Sequence, residues 1–74
     1  MTINYNAIIT KEKDIFVAWC PELDIVSQGS SKEEAHCNLK EALDLFIEAA
    51  DPLEVRNRLK NNEVIIYPME VNFG

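Results

Sequence analysis

Ile15-Phe16-Val17-Ala18-Trp19-Cys20 is a six-residue apolar run that ends on Pro21-Glu22-Leu23-Asp24. Alternation puts Ile15, Val17 and Trp19 on one side of an extended chain and Phe16, Ala18 and Cys20 on the other. The run is too short for a helix of ordinary length, and a strand apolar on both faces is a strand covered on both faces. On its N-terminal side, Lys11-Glu12-Lys13-Asp14 is a charged turn of hairpin length. Before that turn, residues 2–10 alternate, with Ile3, Tyr5, Ala7 and Ile9 of one parity, which predicts a half-buried strand. On the C-terminal side, residues 21–24 turn the chain and residues 25–28 form a short third strand that stops at Gly29.

Beyond Gly29 the period changes from two to 3.6. Ala35, Leu39, Ala42, Leu43, Phe46 and Ala50 fall on one face of a helix, with Cys37 nearly opposite and Leu45 outside the face. Ser31-Lys32-Glu33-Glu34 reads as a capping box, in which the serine hydroxyl and the N3 carboxylate satisfy free backbone N–H groups. Asp51-Pro52 ends this helix and starts another over residues 52–60, with Asp51 as cap, Pro52 at the first position, and Val55 and Leu59 inward. Residues 63–73 read as a last strand with Ile65, Tyr67, Met69, Val71 and Phe73 inward. Pro68 makes it an edge strand or a bulged one. The expected fold is α+β, in the order β-β-β-α-(α)-β. One main helix lies on one face of a small antiparallel-rich sheet, and a right-handed crossover leads to the last strand. Residues 1–74 form a single domain.

The chain has 74 residues, 47% of them hydrophobic, and a net charge of −6 from thirteen acids and seven bases. That composition is globular rather than disordered. The acidity argues against direct nucleic-acid binding, which needs a basic surface, and favours a basic protein partner. It is strongest over residues 31–50, where five acids face two lysines. Two cysteines and one histidine make neither a disulfide framework nor a four-ligand zinc site. No apolar stretch approaches the ~18 residues of a membrane span, and the first residues lack the charge and apolar run of a signal peptide. The expectation is a reduced cytoplasmic protein without cofactor or metal.

Three constellations are candidates for chemistry. Cys20 and His36 are a nucleophile and a base by type, but no third orienting group stands at a recognisable spacing, and Cys20 reads as a small core residue. Glu41, Asp44 and Glu48, at i, i+3 and i+7, share one side of the helix. They read as a solvated face or a dock for a basic protein, since a convex helix gives a metal no cavity of converging ligands. The apolar candidates are Leu45 and one face of the second strand. With Ile15, Val17 and Trp19 outward, Trp19 is an interface anchor of the kind enriched at hot spots; with them inward, it is a core residue under the helix. The candidate partner interface is therefore Trp19, Ile15, Val17, Glu41, Asp44, Leu45 and Glu48. No Gly-rich phosphate loop, HExxH or GxSxG occurs, so a binding or assembly module is expected rather than an enzyme.

From Tyr5 to Ala50 the chain resembles the HicB family of antitoxins. Tyr5-Asn6-Ala7-Ile8-Ile9 is similar to the family's opening strand. Phe16-Val17-Ala18-Trp19-Cys20-Pro21-Glu22-Leu23 is similar to its second strand and the following Pro-x-Leu. Ser27-Gln28-Gly29 is similar to its polar-Gly stop. Ser31-Lys32-Glu33-Glu34-Ala35 and Asn38-Leu39-Lys40-Glu41-Ala42-Leu43 are similar to its helix. The chain departs from the family at Asp24-Ile25, where a glycine is common. The resemblance implies a partial RNase H-like fold. It also implies a small basic partner of the HicA type, an mRNA-cleaving toxin whose RNA-binding and active surface the antitoxin masks. Residues 2–10 hold no acid of the kind RNase H enzymes use for metal. Many members of the family continue into a DNA-binding domain, and the resemblance carries no operator binding to a chain that stops at Gly74.

Two expectations follow: neutralisation of a HicA-like toxin, or an orphan homo-oligomeric assembly or regulatory module with no toxin. A dimer or tetramer is expected in either case, because strand two and the edge near Pro68 leave surface to bury.

Overall fold

A computed structural model of the chain describes residues 5–74. Three strands, β1 (Ile8–Glu12), β2 (Ile15–Cys20) and β3 (Ile25–Gly29), form an antiparallel sheet in that order, followed by helices α1 (Lys32–Ala49) and α2 (Pro52–Asn61). The α+β class and the order through the second helix are as the sequence predicts. Residues 2–4 of the first predicted strand lie outside the described residues, and residues 5–7 do not join the ladder. Pairing with β2 sets the strand instead, from Ile8 opposite Trp19 to Glu12 opposite Ile15. Lys11 and Glu12 therefore belong to β1, and the turn shrinks to Lys13-Asp14. Lys13 takes the left-handed φ of 56° that such a tight turn requires.

Phe16, Ala18 and Cys20 turn toward α1, and Ile15, Val17 and Trp19 face away from it, which decides the question the alternation leaves open. Ala18, Cys20, Leu23, Ala35, Leu39 and Leu43 form the core, with Phe16, Ile25, Phe46 and Leu59 packed around it. Gly29 is needed where β3 meets the helix start, because a Cβ there would stand 2.6 Å from the Ala35 backbone nitrogen. Ser31 caps α1 by accepting from the Glu34 N–H at 3.1 Å. The Glu34 carboxylate reaches one residue further back than a simple capping box would place it, accepting from the Ser30 N–H and hydroxyl. Asp51 caps α2, accepting from the Leu53 N–H, with Pro52 in the first turn.

The expected last strand is the main departure. Residues 63–73 form no strand among the described residues, and the crossover leads to no paired partner. An extended segment becomes a strand only by filling a ladder, and neither edge of this sheet takes it up within the chain. Ile65, Ile66, Tyr67, Met69, Val71 and Phe73 are left 60–98% exposed. The radius of gyration, 14.4 Å, exceeds the ~11 Å of a compact chain this long, as expected when a segment stands off the body.

Candidate functional site

The sheet has one covered and one open face. On the open face, Ile15 and Trp19 are 39% and 38% exposed and Val26 is 59% exposed, while Val17 is half-buried between them. Trp19 lies opposite Val26 on β3 and Ile8 on β1, so these side chains form one apolar patch across three strands. The indole N–H of Trp19 donates to Asp24 Oδ1 at 3.1 Å. Asp24 sits in the β2–β3 turn with a left-handed φ of 53°, which aspartate tolerates better than most residues. The patch thus presents an aromatic ring whose only polar atom is already satisfied.

Glu41, Asp44, Leu45 and Glu48 are exposed on the side of α1 turned away from the sheet, with Leu45 at 59%. The seven candidate interface residues therefore fall on two opposite surfaces of a two-layer molecule: Ile15, Val17 and Trp19 under the sheet, the other four over the helix. A single flat partner surface contacts one set or the other. Asp44 is tied to Lys40 at 2.9 Å, and the carboxylate raises the lysine pKa. Among the described residues, Glu41 and Glu48 make no ion pair, and no group of three or more His, Cys, Asp or Glu is placed to hold a metal ion. No described helix is long and apolar enough to cross a membrane.

Cys20 is fully buried. Burial pushes its thiol pKa up, with the Glu22 carboxylate adding to the rise against an opposing backbone hydrogen bond from Leu23. A buried, protonated thiol is a poor nucleophile. His36 lies on the helix, beside a groove between α1 and residues 5–7, which lead into β1.

Sequence reasoning passes over a polar knot at the β2–β3 turn. Glu22, only 6% exposed, accepts from the Asn6 N–H at 2.9 Å, from Asn6 Nδ2 at 2.6 Å, and from the Cys20 thiol at 3.6 Å. Burial alone would raise its carboxyl pKa, but the two Asn6 bonds and the lesser donors outweigh it and hold the group below its ordinary value. Arg58 donates to the Leu23 carbonyl at 3.0 Å and stacks on Phe46 at 4.7 Å, and Asn62 donates to the Glu22 carbonyl. The knot ties the lead-in to β1 and the end of α2 to one turn, behind the Trp19 patch. Its sequence signal is a single acid after Pro21, indistinguishable by pattern from an exposed turn residue.

Comparison with known proteins finds a relative in Helicobacter pylori (strain J99 / ATCC 700824), described as "UPF0150 protein". It is 41% identical over 70 residues that span 93% of this chain and 96% of the relative. No family model and no solved structure matches the chain.

Proposed function

The chain belongs to the UPF0150 family, and we propose that it is a non-catalytic, cytoplasmic binding protein of the antitoxin kind. It neutralises a small basic HicA-type toxin by masking the surface that binds and cleaves mRNA. The observation that carries this reading is the uncovered apolar sheet face centred on Trp19. A monomeric domain of this size gains by covering such a face, and a fixed aromatic ring in an apolar patch is the usual anchor of a protein interface. The net charge of −6 supports a basic partner, since opposite net charges speed encounter and fix orientation. The resemblance of residues 5–50 to HicB antitoxins supplies the class of partner and a partial RNase H-like fold. In this mechanism the net negative charge of the chain speeds encounter with a basic partner, and Ile15, Val17, Trp19 and Val26 make the contact, with Glu41 and Glu48 on the opposite surface and outside it.

The test is co-expression with the product of the adjacent reading frame. The expected result is relief of growth arrest by the native chain, with Trp19→Ala weakening the complex about 30-fold, the ~2 kcal/mol of a hot-spot truncation. A toxic neighbour whose effect the native chain does not relieve sinks the proposal. A second reading, an orphan assembly module without a toxin, is favoured by the exposed apolar segment 63–73, and a gene with no small basic neighbour supports it.

A further inference from the structure

The molecule carries two unsatisfied parts that match each other. The first is the outer edge of β1, which pairs with no strand among the described residues. Helix α1 lies mainly over β2 and β3, and a groove of about 300 Å³ remains between α1 and residues 5–7, the lead-in to β1, lined by Tyr5, Ala7, His36, Leu39, Lys40 and Leu43. The second is residues 63–73. Ile65, Tyr67, Met69, Val71 and Phe73 share one parity; Val64, Ile66, Pro68, Glu70 and Asn72 fall on the other. In an extended chain one parity points its N–H and C=O groups to one side and the other parity to the opposite side. If Pro68, which has no N–H, points outward, nothing is lost from the ladder. The odd residues then supply the ladder bonds, and their side chains form a continuous apolar face. The β3 edge is the poorer receiver, because the Gln28 carbonyl already accepts from Asn38 Nδ2 at 2.8 Å.

The segment starts close to a groove of this kind. Asn62 donates to the Glu22 carbonyl, and Glu22 binds Asn6 at the lead-in to β1. Yet Tyr67 stays 80% exposed and Phe73 98% exposed. We propose that residues 64–73 of one chain add as a strand to the β1 edge of a second copy and place their odd side chains in its groove, with the exchange returned. Such a contact is isologous and closes as a dimer. Burying Tyr67 and Phe73 of two chains removes on the order of 700 Å², and the surface they cover adds a similar amount. That reaches the ~1,200–2,000 Å² of a stable interface. The exchange leaves the Trp19 face free and is independent of the antitoxin reading.

Sedimentation or light scattering on the native chain and two proline variants tests it. The native chain should weigh twice its 8.5 kDa. Val71→Pro removes a ladder N–H and should raise the dimer dissociation constant at least 10-fold, with the helical circular dichroism unchanged. Asn72→Pro removes an outward N–H and should remain dimeric. A native monomer at ~100 μM, a segment docked in its own groove, or a dimer that tolerates Val71→Pro as well as Asn72→Pro each overturns the proposal.

Discussion

Glu22→Gln removes the charge from the polar knot while keeping its shape, and its consequences are calculable. In the native chain both carboxylate oxygens accept from Asn6, and the side chain is 6% exposed, so solvent does little to screen the loss. Glutamine leaves one acceptor and turns an –NH2 toward a second donor. Losing a charge-assisted bond and leaving that donor unpaired costs about 1.5–3 kcal/mol, reduced somewhat because the neutral side chain is easier to bury. We expect a net loss of about 2 kcal/mol. A domain this size has roughly 4–11 kcal/mol of stability in all, and the corresponding fall in Tm is about 8–16 °C. Urea unfolding at fixed chain concentration measures it. Acid titration supplies an independent signature. The folded state holds the Glu22 carboxyl below its ordinary value of 4.5. Its contribution is therefore complete above that value and disappears as pH falls through the folded-state value. The native chain should lose this increment in acid, and Glu22→Gln should lack that part of the acid limb. A loss under 0.5 kcal/mol with an unchanged acid limb would refute the assignment of Glu22 as the tie between the β1 lead-in and the turn.

Other positions give sharp expectations. Gly29→Ala puts a Cβ 2.6 Å from backbone that cannot yield, so it should cost about 2–3 kcal/mol, read as a lower urea midpoint with unchanged slope. Lys13→Gly relieves a left-handed residue in a two-residue turn. It should stabilise by about 0.5 kcal/mol, since the strain released exceeds the added glycine entropy, and raise Tm by a few degrees. Ser31→Ala deletes the cap bond to the Glu34 N–H and should cost about 1 kcal/mol in the same unfolding assay.

The parts of the fold held by local chemistry were legible in the sequence. The two-sided run 15–20, the Ser31 cap and the Asp51-Pro52 boundary each specify their element through near neighbours. Val55 is inward as its spacing requires. What alternation cannot decide is which face of a two-sided strand meets the helix. That depends on the close approach at Gly29 and on Ala18, whose small side chain fits beneath α1 where Trp19 does not. Residues 63–73 have the pattern of a strand, but pattern does not supply an edge to pair with. Pooling Trp19 with Glu41 and Glu48 into one candidate surface fails for a similar reason, since the sequence separates strand and helix faces without saying that they point in opposite directions. Glu22 is missed because its main partner, Asn6, lies 16 residues upstream and its burial is tertiary.

Whether this chain exists to hold a small basic protein is decided by weighing what leaves the column with it. Co-expressed with the product of the adjacent reading frame and purified through a tag on this chain alone, it should appear in native mass spectrometry as a complex of fixed stoichiometry. Rising salt should slow that complex's formation, and Trp19→Ala should disrupt it. The chain emerging only with copies of itself, from a locus that does encode a small basic neighbour, would contradict the account.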